Sequence, residues 1–271
     1  MGRECWSVVL VKSPKYRRAL NTKQIELLKL LFKFRFITTD LVSELLGKDR
    51  STIYESLYVL EKQDYVYKFY DKSYRFRQRP AIYTLNKGGI RYLMSRSELD
   101  QTTLRNFYKN RSLDDEQIDK YLNVFQITNT LKRQTGGKFS IHTKYELNRD
   151  AFIRPLPELY LARNGKSQKP DYILDIFPAF SPSWLLKKRL RQHQELSEEE
   201  SDYFANYPSV LLVAQNPSTE KRLFRMLESA MQDFDFLITQ QDLLLNSNDG
   251  KVWIDLYESD EEEFVRIGLW N

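Results

Sequence analysis

Apolar residues near the start of the chain recur at the three- and four-residue spacing of amphipathic helices. The stretch "TKQIELLKLLFKFRF" carries this pattern on Ile25, Leu28, Leu31 and Phe32. Thr22 is suited to cap its first turn. The next stretch, "ITTDLVSELLG", repeats the pattern, with Thr39 or Asp40 as its cap. Two helices are therefore predicted before residue 48.

A third helix is predicted within "GKDRSTIYESLYVLEKQDYVYKF", residues 47–69. Ile53, Leu57 and Leu60 form its apolar stripe, and Ser51 is suited to cap it. Two aromatic strands follow, "YVYKFY" and "AIYTL", separated by the basic loop "DKSYRFRQRP" and followed by a short helix. Three helices and a hairpin with a basic tip are the order of a winged helix-turn-helix.

The third helix of a winged helix-turn-helix enters the major groove of DNA, and its first turns reach the base edges. Its outward hydroxyl, arginine and aromatic groups are the predicted base-reading residues Arg50, Ser51, Thr52 and Tyr54. The predicted phosphate-binding residues are the cations beside it, Lys48, Lys68, Lys72, Arg75, Arg77 and Arg79. Phosphate contacts give affinity that falls with salt, and they do not choose a sequence.

The charge of the chain is unevenly distributed. Residues 1–110 contain 22 Lys and Arg against 11 Asp and Glu, whereas residues 111–271 contain 20 against 26. A basic first part indicates a polyanionic partner. A solvated basic face, a third helix that only packs in a core, and a protein-binding module are the alternatives. Because charge, helix and hairpin coincide, double-stranded DNA is the predicted partner.

The rest of the chain predicts a second structural unit. Residues 95–113 are polar and indicate a linker or a short helical connector. A helix follows, "DDEQIDKYLNVFQITNTLKRQTGG", with acidic residues at its start and basic residues at its end, as the helix dipole favours. Beyond it, strands such as "DYILDIF" and "SVLLVAQ" alternate with helices such as "PSWLLKKRLRQHQEL". This alternation predicts a sheet of mixed direction.

The chain is therefore predicted to be α+β, with a winged helix-turn-helix followed by an α/β mixed-sheet domain. The predicted divisions are an N-terminal strand and basic arm at 1–21, the winged helix at 22–95, a linker and connecting helix at 96–137, and the α/β domain at 138–271.

Composition argues against several classes of site. Cys5 is the only cysteine, and His142 and His193 are the only histidines, so we expect no internal disulfide and no metal centre based on cysteine or histidine. The sequence has no GxxxxGK(S/T) or GxGxxG motif, and no cofactor is expected. His193 lies in a charged helix and is expected to be exposed to solvent. No apolar run approaches the roughly 20 residues of a membrane helix. The first residues form a poor signal peptide, so a reducing cytoplasm is the expected setting.

Three segments, "TKQIELLKLL…RFITTDLV", "STIYESLYVLEKQDYV" and "AIYTLNKGGI", resemble the winged helix of the replication-relaxation family. The second half is similar to that family in the order of "IDKYLNVFQITNTL", "KYEL", "KPDYIL" and "SVLLVAQN". These are plasmid- and mobile-element-associated proteins of replication and mobilisation. The resemblance implies binding at an origin, or service as an accessory to a relaxase or replication protein. A winged-helix transcriptional regulator is the alternative, and a homodimer stays open.

The same resemblance implies a restriction-endonuclease-like core in the second half. Such cores use carboxylates to hold Mg²⁺ and a lysine to activate water. Glu146 and Pro170–Asp171 match the upstream glutamate and the proline–aspartate pair. The third element of such cores is an aspartate or glutamate followed two residues later by lysine. It is missing here, because Asp175 is followed two residues later by Phe177 and not by lysine. An inactive core is expected, with Asp171 as a turn or cap residue; a Mg²⁺-dependent nuclease is the alternative.

Overall fold

The computed structural model describes residues 19–96, 99–147, 156–165, 171–198, 207–230, 236–256, 258–259 and 263–270. They form a mixed α+β fold with one three-stranded antiparallel sheet and one seven-stranded sheet of mixed direction. The predicted α+β class and mixed sheet are confirmed. The strand expected at Trp6–Val11 lies outside the described residues.

The first part contains five helices and three short strands. They are α1 Thr22–Phe34, β1 Phe36–Thr38, α2 Thr39–Leu46, α3 Arg50–Lys62, β2 Val66–Phe69, α4 Lys72–Phe76, β3 Ile82–Leu85 and α5 Lys87–Met94. Strand β3 lies between β1 and β2 and pairs antiparallel with both. The apolar sides of α1, α2, α3 and α5 pack into one core with the inner side chains of this sheet. Strand β1 was not predicted, because its residues fall within the two stretches that predict the first two helices.

The predicted caps of the first three helices were wrong by one or two residues. Asn21, and not Thr22, caps α1, and it forms a reciprocal pair of hydrogen bonds with Gln24. The hydroxyl of Thr38, the last residue of β1, caps α2. Asp49 caps α3, and its carboxylate accepts a hydrogen bond from the hydroxyl group of the expected cap, Ser51. An aspartate there is also favoured by the positive end of the helix dipole.

The segment between the two halves is a packed helical connector. It contains α6 Gln101–Asn106 and a 3₁₀ turn at Phe107–Ser112, and it buries Leu104 and Phe107 in the first core. At its end the buried Asn110 accepts a hydrogen bond from Arg35 and donates one to Thr84. This connection fixes the segment to the end of α1 and to the centre of the small sheet.

Helix α7, Asp115–Thr135, belongs to both cores. Phe125 stacks on Phe34 at a centroid distance of 3.8 Å and lies in the first core. On the other side of the helix, Val124, Ile127 and Leu131 pack against the large sheet. The two halves are therefore in direct contact along this helix.

The second part is built on the seven-stranded sheet. Its strands are β4 Phe139–Thr143, β5 Leu159–Arg163, β6 Tyr172–Phe177, β7 Ser209–Ala214, β8 Phe236–Gln240, β9 Lys251–Ile254 and β10 Arg266–Gly268, in the spatial order β10-β9-β8-β7-β6-β5-β4. Helices α8 Ser183–Glu198 and α9 Pro217–Ala230 connect the parallel strands β6, β7 and β8. A short helix, α10 Gln241–Asn246, precedes β9. Strand β5, helix α10 and strand β10 were not predicted from the sequence.

Among the described residues, no helix combines the length and the apolar character that spanning a membrane would require.

Candidate nucleic-acid interface

The outer face of α3 is open to solvent. Its inner stripe of Ile53, Leu57 and Leu60 is buried as predicted. On the opposite side, Tyr54 and Tyr58 are each 46% exposed, and their rings stack with centroids 6.4 Å apart. Both tyrosine side chains are therefore partly open to solvent on the outer face of the helix.

Lysines flank these rings. The ammonium group of Lys68, on β2, lies 5.6 Å from the ring centroid of Tyr54 and 5.2 Å from that of Tyr70. Lys62 lies 5.2 Å from the ring of Tyr58, one turn along α3. We call Tyr54, Tyr58, Lys62, Lys68 and Tyr70 the tyrosine–lysine strip. Exposed cation–π contacts of this kind are weak, so the lysines keep their charge available to a phosphate.

Tyr58 and Lys62 are not among the residues predicted from the sequence to contact DNA. The signal was present, because positions 54, 58 and 62 follow the four-residue spacing of one helix face. Tyr58 is predicted to face outward, but the predicted base-reading residues end at Tyr54.

The cations at the start of α3 form exposed ion pairs. Lys48 lies 2.9 Å from Glu26, and Arg50 lies 3.1 Å from Asp40. Exposed pairs of this type stabilise a protein by no more than about 1 kcal/mol, so a DNA phosphate can replace the carboxylate. The predicted base-reading Ser51 is exposed, and Thr52 is half-buried beside it.

The segment between β2 and β3, residues 71–80, is here called the finger. It was predicted to be a basic loop, and the structure instead places the short helix α4 in it. Asp71 caps this helix by accepting hydrogen bonds from the backbone N–H groups of Ser73 and Tyr74. The hydrogen bond from the Ser73 hydroxyl is the main reason that the pKa of Asp71 lies below its ordinary value. A cap at Asp71 explains why a stretch with a loop-like composition is helical.

Two of the finger's arginines face α7. Arg77 lies 2.9 Å from Asp115, and Arg79 contacts both Asp115 and Asp119. Tyr74 is buried between them, with its hydroxyl 3.5 Å from Asp115. Burial raises the pKa of Asp119, with the nearby Arg79 opposing that shift. These contacts fix the inner side of the finger to the start of α7.

The outer side of the finger carries the remaining predicted phosphate ligands. Lys72 and Arg75 are exposed and form no ion pair within the described chain, and Phe76 beside them is 89% exposed. The finger therefore has a structural side with Arg77 and Arg79 and an open side with Lys72 and Arg75.

This difference between the two sides predicts unequal effects of alanine. Arg79→Ala should lower the free energy of unfolding by about 1–2 kcal/mol, because charged hydrogen bonds to the half-buried Asp119 are lost. Arg75→Ala, the matched control on the open side, should change it by less than about 0.5 kcal/mol. Urea denaturation followed by circular dichroism measures both. Equal stability of the two variants would mean that Arg79 does not anchor the finger.

The two carboxylates suggested for catalysis have local structural partners. Glu146 accepts a hydrogen bond from the backbone N–H of Thr143 and lies 2.9 Å from Lys33. Asp171 accepts hydrogen bonds from the backbone N–H of Arg163 and from the Tyr160 hydroxyl. Asp171 thus joins the start of β6 to β5. Within the described ranges, no group of three His, Cys, Asp or Glu side chains could hold a metal ion.

A different set of charged residues meets at the ends of the central strands. A cavity of about 590 Å³ is lined by Glu116, Lys120, Glu158, Asp175, Arg189 and Gln215 together with apolar side chains. Glu158, directly before β5, lies 2.7 Å from Lys144 and 3.3 Å from Lys120. Arg189 binds Asp175 through two hydrogen bonds, of 2.5 and 3.0 Å. The carboxylates of Glu158 and Asp175 are therefore paired with cations of the same chain.

His193 is buried, and the prediction that it is exposed was wrong. It is 2% exposed, its Nε2 lies 2.8 Å from Asp175, and its Nδ1 lies 2.8 Å from the Tyr207 hydroxyl. Position 193 follows the buried Leu186 and Leu190 at the spacing of one helix face, and this spacing outweighs the charged neighbours.

Asp175 is ionised in the interior. Burial alone would raise its pKa, but the hydrogen bond from His193 and the charge of Arg189 together hold the pKa of Asp175 well below its ordinary value. The signal in the sequence was a single acidic residue within the apolar strand "YILDIF". A buried charge of this kind requires partners.

No protein-family model, no curated protein and no solved structure matches this chain.

Proposed function

We propose that the chain binds double-stranded DNA through a winged helix-turn-helix formed by its first part. The observation that carries this proposal is the open outer face of α3, which adjoins the half-buried Lys68 of β2 and the exposed cations of the finger. The order α1-β1-α2-α3-β2-α4-β3, with a small antiparallel sheet, supports it. An α-helix with one open side fits the major groove.

The proposed roles follow from exposure. Arg50, Ser51, Thr52 and Tyr54 read base edges from the first turn of α3, and Tyr58 extends the contact by one turn. The phosphate ligands are the cations that are exposed or held only in weak pairs, namely Lys48, Lys62, Lys68, Lys72 and Arg75. Arg77 and Arg79 position the finger against α7.

The experiment that tests DNA binding compares charge-neutralising variants. Lys68→Gln, Lys72→Gln and Arg75→Gln combined should weaken binding to all duplex sequences, and the dependence of log K on log salt should become shallower by about 2–3. A triple variant of exposed cations elsewhere, Lys87→Gln, Arg91→Gln and Lys251→Gln, is the control. Fluorescence anisotropy with selected duplexes measures the affinity.

Two results would contradict the proposal. One is an unchanged affinity and salt dependence in the strip-and-finger variant. The other is the absence of any duplex binding at low salt, which would favour a protein-binding module. Selection of bound fragments from random DNA supplies the site and its symmetry.

We propose that the biological role is replication or mobilisation of a plasmid or mobile element. The residues that resemble the replication-relaxation family support this role. Footprinting separates it from transcriptional regulation, since protection at a replication or transfer origin supports it and protection at a promoter contradicts it.

A Mg²⁺-dependent nuclease is the second candidate function. The order α7-β4-β5-β6-α8-β7 and the cavity with Glu116, Glu158 and Asp175 favour a nuclease-like core in the second part. Arg189 occupies both oxygens of Asp175, which argues against metal binding there. Incubating supercoiled plasmid with the protein and Mg²⁺ tests this candidate, and cutting that is lost in Glu158→Gln would establish it.

A further inference from the structure

A second aromatic and basic surface lies on α8, in the other half of the molecule. Leu186, Leu190 and His193 face the sheet. On the opposite side, Trp184 is 66% exposed. The outward residues Trp184, Lys187, Lys188 and Arg191 follow the spacing of one helix face. We call Trp184, Lys187, Lys188 and Arg191 the α8 stripe.

The three cations of the α8 stripe form no ion pair within the described residues, in contrast to Arg189 on the inner side, which binds Asp175. The helix dipole does not explain their position. Cations stabilise a helix from its last turn, and the last turn of α8 has none. Within the described residues, their positive charge is therefore open to solvent and has no carboxylate at ion-pair distance.

We propose that the α8 stripe binds single-stranded nucleic acid, with an unpaired base stacked on Trp184 and phosphates held by Lys187, Lys188 and Arg191. Proteins that bind single strands combine aromatic rings, on which bases of any sequence stack, with cations that follow the backbone. A duplex offers the faces of its bases only at its ends, so a large exposed ring on a cationic helix fits an unpaired strand.

The cations also fit this partner in their spacing. Lys188 and Arg191 are separated by about 4.5 Å along the helix axis, and Trp184 lies about 6 Å before Lys188. A chain of bases and phosphates can thus contact a ring and cations from one helix face. An acidic, apolar protein segment would be the other occupant, and the test separates the two. This proposal does not depend on α3, and its failure would leave the duplex-binding proposal intact.

The test uses the full chain and a fluorescein-labelled oligothymidylate of about 20 nucleotides. Trp184→Ala should weaken its binding by about tenfold. Lys187→Gln, Lys188→Gln and Arg191→Gln together should weaken it similarly and make the salt dependence shallower by about two. The triple variant Lys87→Gln, Arg91→Gln and Lys251→Gln should bind as the unchanged protein does.

Tryptophan fluorescence provides a readout that a structural defect would not mimic. Trp253 and Trp270 are buried, so Trp184 is the exposed indole among the described residues. Oligothymidylate should quench its emission, and Trp184→Phe should lose this quenching while retaining most of the affinity. Duplex binding should change less than twofold in all α8 variants.

Three results would overturn the proposal. The first is an oligothymidylate affinity that the α8 variants leave unchanged. The second is an equal loss of duplex and single-strand binding, which would place both on one surface. The third is no binding of oligothymidylate by the unchanged protein at 50 mM salt, on the order of the low-salt conditions that favour such contacts, which would assign the α8 stripe to a protein partner.

Discussion

Asp175→Ala is expected to lower the free energy of unfolding by about 3–5 kcal/mol, because it removes the buried carboxylate that pairs with a buried guanidinium. Arg189 donates two hydrogen bonds to this carboxylate, and His193 lies 2.8 Å from it. All three side chains are buried between α8 and the centre of the sheet. Urea denaturation measures the loss. Asp242→Ala, on the exposed side of α10, is the control and should cost about 0.5 kcal/mol or less.

The same carboxylate makes stability depend on pH. Because the pKa of Asp175 is lowered by folding, its contribution is fully present above the ordinary aspartate value of 3.8 and is lost as the pH falls below it. Asp175→Asn should remove this part of the acid sensitivity, so its stability should fall less steeply below pH 4. Parallel losses of stability in both proteins below pH 4 would show that Asp175 does not titrate with folding.

Gly89→Ala is the second large expected effect. A Cβ atom at this position would lie 2.3 Å from the backbone oxygen of Tyr65 and 3.0 Å from a methyl group of Leu85. The Tyr65 carbonyl cannot move easily, because it accepts the backbone hydrogen bond of Asn86. We expect a loss of about 2–3 kcal/mol from overpacking, which exceeds the gain of about 1 kcal/mol that alanine brings to a helix.

Thermal unfolding of Gly89→Ala checks this expectation. Lys87→Ala, two residues earlier and exposed, is the control and should leave the melting temperature nearly unchanged. A Gly89→Ala protein as stable as the unchanged chain would mean that α5 does not pack this closely on the residue before β2.

Helices and buried central strands were predictable from the sequence because their periodicity is strong. The stripe of Ile53, Leu57 and Leu60 and the strand "YILDIF" were both identified correctly. The short strand β1 was not, since three residues between two helices have no period of their own. Strand β5 was hidden in a proline-rich stretch, and its pairing with β4 and β6 depends on residues distant in sequence.

The candidate interface was predictable in composition but not in its contacts. The sequence indicates a basic segment at residues 71–80, yet it does not show that Arg77 and Arg79 turn toward Asp115 and Asp119, some forty positions later. Likewise, Asp175 and His193 are eighteen positions apart, and only the packing of α8 on β6 brings them together. Pairing across such separations depends on tertiary structure, which local patterns do not report.

The position of α7 has a consequence for dividing this protein into fragments. Phe125 faces one core, and Val124, Ile127 and Leu131 face the other. A fragment that ends before this helix exposes the ring of Phe34 to solvent. A fragment that begins with this helix exposes the apolar side of the helix that otherwise packs on the first core. Each half therefore covers apolar side chains of the other, and overlapping fragments that both retain residues 114–135 are the ones suited to separate expression.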